Sequence, residues 1–365
     1  MDNTWFRKFV LESVDTDKLY TQGTDHKVLL ALGLMGEAGS IVSEVKKGRR
    51  EGAAYPSLIP KLKEEIGDFL WYYVRLASVV DIDLQEDRFK TQLWVPSEDR
   101  EDRLGVYLEL SKCVGELLGK LKEDRLGVNR SFRDVFEEIW QVLNRVCVSE
   151  NVRLDEIAEA NTLKRIDRWG KESEDIVLFD EAYPKEEQLP REFEVEFIEK
   201  VRNNEGVVIL RSNNINIGDS ITDNIGELDD YRYHDVFHLG YMSHFGWSPV
   251  FRSLLRCKRK SNPSVDENED GGRARVIEES ISAIVFSRAK AVSYYEGIDH
   301  IDFDVLKNIK ELVRGYEVED IPLWLWEKAI LESYAVFRRL KANKGGIVTA
   351  DLGRRRLTYS VNRQV

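Results

Sequence analysis

Apolar residues fall at helical spacing through most of the first 170 positions. Residues 27–48, KVLLALGLMGEAGSIVSEVKKG, line them along one face and close in a basic, glycine-containing turn. Residues 58–80, LIPKLKEEIGDFLWYYVRLASVV, repeat the pattern with more aromatics, and 153–170, RLDEIAEANTLKRIDRWG, end on Gly170. The pattern then breaks. Residues 171–192 are acidic and proline-containing and read as a linker. Between 193 and 225, EFEVEFIEKV and GVVILRS carry the alternation of strands and NNINIGDSITDN is turn-rich. Helical spacing resumes from Tyr231 to about Lys341, and the tail GGIVTADLGRRRLTYS reads as a short hairpin or an irregular cap. The predicted fold class is mainly α. It comprises a helical bundle over 1–170 and, beyond the linker, an α-rich domain over 193–365 with short strands near 193–225.

The bundle carries an internal echo. Glu37 and Glu44 are seven residues apart, as are Glu109 and Glu116. In each case a second acidic helix follows, and overlaying the two sets Glu64 on Asp134 and Asp68 on Glu138. A duplication would give two helical hairpins in a pseudo-symmetric bundle, with about 85–150 as an insertion or degenerate repeat. Two unrelated amphipathic acidic helices would align equally well.

Composition narrows the function. A chain of 365 residues, 42% hydrophobic and 33% charged, suggests two globular domains. The formal net charge of −12 argues against general nucleic-acid binding. No apolar run is expected to approach membrane-spanning length, and the N-terminus lacks the apolar core of a secretory signal. Three widely spaced cysteines fit a reducing cytoplasm better than a disulfide framework.

The acids carry the chemistry. Glu65 and Asp68 are three apart and share a helix face, and Glu37, Ser40 and Glu44 form a stripe on another helix. Two such stripes facing each other would converge oxygen ligands suited to Mg²⁺, or to Mn²⁺, with Glu64 in support. The alternative is a solvated acidic face. Gly36, Gly39 and Gly67 flank the acids, and glycine costs about 1 kcal/mol inside a helix. Close helix approach or ligand access would offset that cost. Lys47, after the first acidic helix, suits either phosphate contact or the helix dipole.

GLMGEAG, EEIGDFLWYYVRLA and IAEANTLKRIDRW together resemble the MazG-type all-α nucleoside triphosphate pyrophosphohydrolases, whose fold the dimeric dUTPases share. The resemblance covers most of 20–170. It implies Mg²⁺ held by Glu37, Glu65 and Asp68, and cleavage of a nucleoside triphosphate to the monophosphate and pyrophosphate. Asn161, Lys164 and Arg168 match the helix that binds substrate phosphates. The family's second glutamate is Ser40 here, which puts metal stoichiometry in doubt. Glu44, roughly 10 Å from Glu37 along the helix axis, could serve only a second ion. Catalysis and nucleotide sensing without cleavage both remain open. Relatives assemble through the bundle, so the resemblance allows a homo-oligomer, unless the internal repeat replaces a partner chain.

In the C-terminal half, His234 and His238 are four apart with Asp235 beside them, and Glu278 and Glu279 stand at the predicted start of an apolar helix. These residues suit a transition-metal or Mg²⁺ site, or a buried hydrogen-bond network. A metal hydrolase centred on His234 and His238, with the N-terminal domain regulatory, is therefore a further reading of the chain. The half also looks like the C-terminal domain that accompanies some MazG-type proteins.

Overall fold

The structure, a computed structural model, describes residues 4–15, 17, 24–84, 102–125, 132–170, 178–202, 205–223 and 228–361. Met1–Trp169 and Gly170–Val365 are two compact units, each with its own hydrophobic core.

Unit 1 is helical: α1 (Thr4–Asp15), α2 (Thr24–Glu51), α3 (Leu58–Val79), α4 (Asp102–Arg125), α5 (Arg133–Ser149) and α6 (Leu154–Trp169). Helix α2 outruns its predicted end, because Gly48 stays helical beneath Leu58 and Gly52, at φ 55°, makes the turn instead. Helices α2 and α3 form one hairpin, α4 and α5 a second, and α2 also packs on α4. The described part of 85–150 is therefore a second helical hairpin, the arrangement expected of a degenerate repeat. Leu30, Leu34 and Ile41 of α2 and Ile66, Phe69, Leu70 and Tyr73 of α3 fill the core with Trp140. An 18-residue window within His26–Ala54 reaches a mean hydropathy of 1.6, which corrects the expectation that no run approaches spanning length. Its buried residues line the bundle core, as a central helix requires.

Unit 2 contains a five-stranded antiparallel sheet in the order β3-β2-β1-β4-β5. Its strands are β1 (Glu192–Arg202), β2 (Glu205–Ser212), β3 (Ile215–Ile221), β4 (Gly345–Asp351) and β5 (Arg356–Ser360). The tail read as a hairpin or cap is thus a hairpin, β4–β5, with β4 paired along β1 from Glu192↔Asp351 to Ile198↔Gly345. Helices α7 (Asp235–Phe245) and α12 (Leu323–Asn343) pack on each other and against β4 and β5. The remaining helices are α8 (Pro249–Leu254), α9 (Pro263–Asn268), α10 (Gly272–Lys290) and α11 (Phe303–Leu312).

The stretch read as a linker, 171–192, is described from Leu178 onward, and there it belongs to unit 2. Asp180 is fully buried; it accepts hydrogen bonds from the Leu189 amide at 2.7 Å, Arg191 at 2.7 Å and Arg252 at 2.9 Å. Arg259, also buried, lies 2.7 Å from Asp270 and 2.8 Å from Glu317, which fixes the basic segment around it. Buried charges of this kind persist only when paired, so 178–192 is built into the fold.

Candidate metal and phosphate site

Three carboxylates meet between α2 and α3. Glu37, Glu65 and Asp68 each place an oxygen within 4.8 Å of the other two. The helical spacing of Glu65 and Asp68 turns both toward α2, and Glu37 projects from α2 to meet them. Burial and the negative charges of Asp68 and Glu65 push the Glu37 carboxyl up to about 8, despite the opposing charge of Lys164. A cluster that cannot hold its own charges ionised has room for a cation.

The glycines divide by role. A Cβ at Gly67 would stand 3.1 Å from Asn161 Cβ, so Gly67 lets α6 lie close against α3. A Cβ at Gly36 or Gly39 would meet nothing within 4 Å, so no close contact requires glycine at either position. Of these three, only Gly67 offsets its helix cost through close approach.

That approach delivers α6 to the acids. Asn161 Nδ2 donates to Asp68 Oδ1 at 2.8 Å, and Lys164 Nζ lies 2.5 Å from Asp68 Oδ2 and 2.9 Å from Glu64 Oε1. Glu64 thus faces Lys164 and stands outside the carboxylate trio. Arg168, buried, lays its guanidinium 4.2 Å over the Trp169 ring, one turn beyond Lys164. Arg165 was not singled out in the sequence. It is buried and stacks 5.2 Å over Phe9, joining α6 to α1, and burial lowers its pKa to about 10.

Glu44 and Lys47 depart from expectation. Glu44 is buried; it pairs with Lys47 Nζ at 2.5 Å and accepts a hydrogen bond from the Tyr55 hydroxyl. Burial opposes its charge, but Lys47 and Tyr55 outweigh burial and lower its pKa. Glu44 therefore lies outside the trio with its charge already balanced, and Lys47 is engaged with it rather than turned to a ligand. Tyr55 carried no sequence signal, since it sits in the α2–α3 connection and meets Glu44 only through the fold. In the second hairpin Lys112, at the position equivalent to Ser40, lies 3.4 Å from Glu116 and 3.9 Å from Glu138. A cation occupies there what is a carboxylate cluster in the first hairpin.

In unit 2, helix α10 begins at Gly272, so Glu278 and Glu279 lie two turns in rather than at its start. They face His238, which is fully buried: Nδ1 is 2.9 Å from Glu278 Oε1 and Nε2 is 3.4 Å from Glu279 Oε2. His234, His238 and Asp235 also bring ligand atoms within 4.8 Å of one another. Burial opposes a charge on His238, but Glu278 and Glu279 outweigh it and raise its pKa well above the imidazole range.

The sequence profile described as the MazG C-terminal domain matches residues 174–363. A 55-residue stretch is 38% identical to the Gene 37 protein of Mycobacterium phage L5, covering 14% of this chain and 48% of that protein. The match thus spans about half the length of that relative. No solved structure matches the chain.

Proposed function

The chain belongs to the MazG C-terminal domain family, and from that premise we propose that unit 1 is a Mg²⁺-dependent nucleoside triphosphate pyrophosphohydrolase. The matched profile covers unit 2, so the reading of unit 1 rests on its own residues. One observation carries it: Glu37, Glu65 and Asp68 converge within 4.8 Å, with Lys164 and Asn161 of α6 on Asp68 of the same cluster.

The donor set fits the ion. All three groups are hard oxygen ligands, the kind that hold Mg²⁺ or Mn²⁺. A bound ion would neutralise phosphate charge and make a coordinated water more acidic. Glu37, Glu65 and Asp68 would hold the cation, and Asn161 fixes the orientation of Asp68. Lys164 would add positive charge beside a bound triphosphate. A carboxylate of the trio takes the proton of the attacking water. The new bond joins water oxygen to the α-phosphorus, the α–β bridge breaks, and pyrophosphate leaves.

A second reading has its own support. Ser40 stands in place of a fourth carboxylate, and Lys164 is already paired with Asp68 and Glu64. Both features suit a nucleotide sensor in which unit 2 is the output. A panel of nucleoside triphosphates with Mg²⁺ separates the readings. Monophosphate and pyrophosphate in equal amounts support the hydrolase, and tight binding with intact triphosphate supports the sensor.

A further inference from the structure

Unit 2 holds a cluster that the pyrophosphohydrolase reading does not use. His234 Nδ1 lies 3.0 Å from the Tyr231 carbonyl, so Nδ1 carries the hydrogen and Nε2 keeps its lone pair. The His234 ring stacks on Tyr231, with centroids 4.4 Å apart and planes 1° from parallel, which fixes its orientation. His238 Nδ1 faces Glu278, and Glu278 is itself anchored by Ser248 Oγ at 2.7 Å and the Val250 amide at 2.8 Å. Each imidazole therefore has an oxygen at Nδ1 and turns Nε2 toward Glu279 Oε2, at 3.7 Å from His234 and 3.4 Å from His238. Asp235 Oδ1 is 3.8 Å from His234 Nε2.

Those separations decide between a hydrogen-bond network and a metal site. His238 Nε2, although fully buried, stands 3.4 Å from Glu279 Oε2 and makes no hydrogen bond of acceptable geometry among the described residues. Two donors bound to one tetrahedral ion at about 2.0–2.1 Å stand about 3.3 Å apart. The Nε2–Glu279 spacings lie close to that edge length. Oxygen partners on the far ring nitrogen are also what orient metal-binding histidines.

Glu279 lines an open cavity of about 520 Å³ with Tyr231, Ser253, Arg275 and Val276 among its other walls. With Glu279 neutralised by a cation, Arg275 is the only other charged side chain lining this cavity.

We propose that His234, His238 and Glu279, supported by Asp235, bind a divalent transition metal at the edge of this cavity, and that the ion's free position takes a small anionic ligand. Two imidazole nitrogens select Zn²⁺, Co²⁺ or a similar ion rather than the Mg²⁺ suited to unit 1. The site is independent of the unit 1 reading and stands if that reading fails.

The test titrates the full-length chain with Co²⁺ in excess Mg²⁺ and follows visible d–d absorption. Wild type should saturate at one Co²⁺ per chain. His234→Ala and Glu279→Gln, the second at a side chain 44% exposed, should each weaken binding by about tenfold or more with unchanged circular dichroism. Asp68→Asn should leave the spectrum intact. No saturable spectrum in wild type, a spectrum retained in both unit 2 variants, or its loss in Asp68→Asn would overturn the metal site. Inorganic phosphate should shift the wild-type band, and Arg275→Ala should weaken that shift; a band indifferent to phosphate overturns the anion assignment.

Discussion

Lys164 Nζ stands 2.5 Å from Asp68 Oδ2, so a cation from the last helix of unit 1 sits on the same carboxylate that faces Glu37 and Glu65. Each cation the cluster gains or loses should therefore register in stability as well as in turnover.

Lys164→Met removes the Lys164 ammonium from Asp68 and Glu64. Removing one partner of a half-buried pair costs about 1 kcal/mol. Metal-free thermal unfolding should show a loss of that size, and Mg²⁺ should recover part of it while the KM for triphosphate rises. An unchanged melting temperature with or without Mg²⁺ would remove Lys164 from the cluster's charge balance.

Glu37 sets a pH dependence. Its carboxyl titrates near 8 in the fold, against 4.5 when unperturbed. Between those values the folded protein binds more protons than the unfolded chain, so this group's contribution to stability falls as pH rises. In metal-free protein Glu37→Gln should flatten the decline between about pH 5 and pH 8. Saturating Mg²⁺ should flatten it in wild type, because the ion supplies the positive charge that the proton otherwise provides. A metal-free stability slope that neither the substitution nor Mg²⁺ alters would contradict the cluster's electrostatics.

Gly67→Ala tests the approach of α6. The added Cβ would stand 3.1 Å from Asn161 Cβ and force α6 outward by a few tenths of an ångström. Turnover should drop by about tenfold or more, since small misplacements of charged groups are costly. Gly39→Ala, which meets nothing within 4 Å, is the control and should leave the fold unchanged. Equal activity in both variants would show that the α3–α6 spacing does not matter.

Ser40→Glu adds the carboxylate that position 40 lacks. More ligand charge tightens binding of hard cations, so Mn²⁺ affinity measured calorimetrically should rise by about one order of magnitude. Metal-free stability should fall, because a fourth acid joins a cluster that already cannot ionise fully. Unaltered affinity would mean that Ser40 does not face the ion.

Much of unit 1 was legible because its pattern is local. Helical spacing placed α2, α3 and α6, and the three-residue step from Glu65 to Asp68 put both acids on one face. Gly67 signalled close packing through its cost in a helix. Contacts closed through turns or over long sequence separations were not legible. Tyr55 reaches Glu44 only once the α2–α3 turn forms, so Glu44 read as a ligand when it is one half of a local ion pair. Asp180 looked like part of a solvated acidic linker because its partner Arg252 lies 72 residues away. The same holds for β4, whose register along β1 joins residues separated by nearly the whole of unit 2. In unit 2 the i, i+4 histidines were visible, but the oxygen on His238 Nδ1 was not, since Glu278 comes from a helix some forty residues further on.

The most direct test of the central claim compares wild type, Asp68→Asn and His234→Ala in one assay of Mg²⁺-dependent nucleoside triphosphate cleavage, with monophosphate and pyrophosphate both quantified. The account predicts equimolar products from wild type, a loss of about a hundredfold or more in Asp68→Asn, and turnover retained in His234→Ala. Turnover that survives in Asp68→Asn and disappears in His234→Ala would contradict it, and would move the chemistry to unit 2.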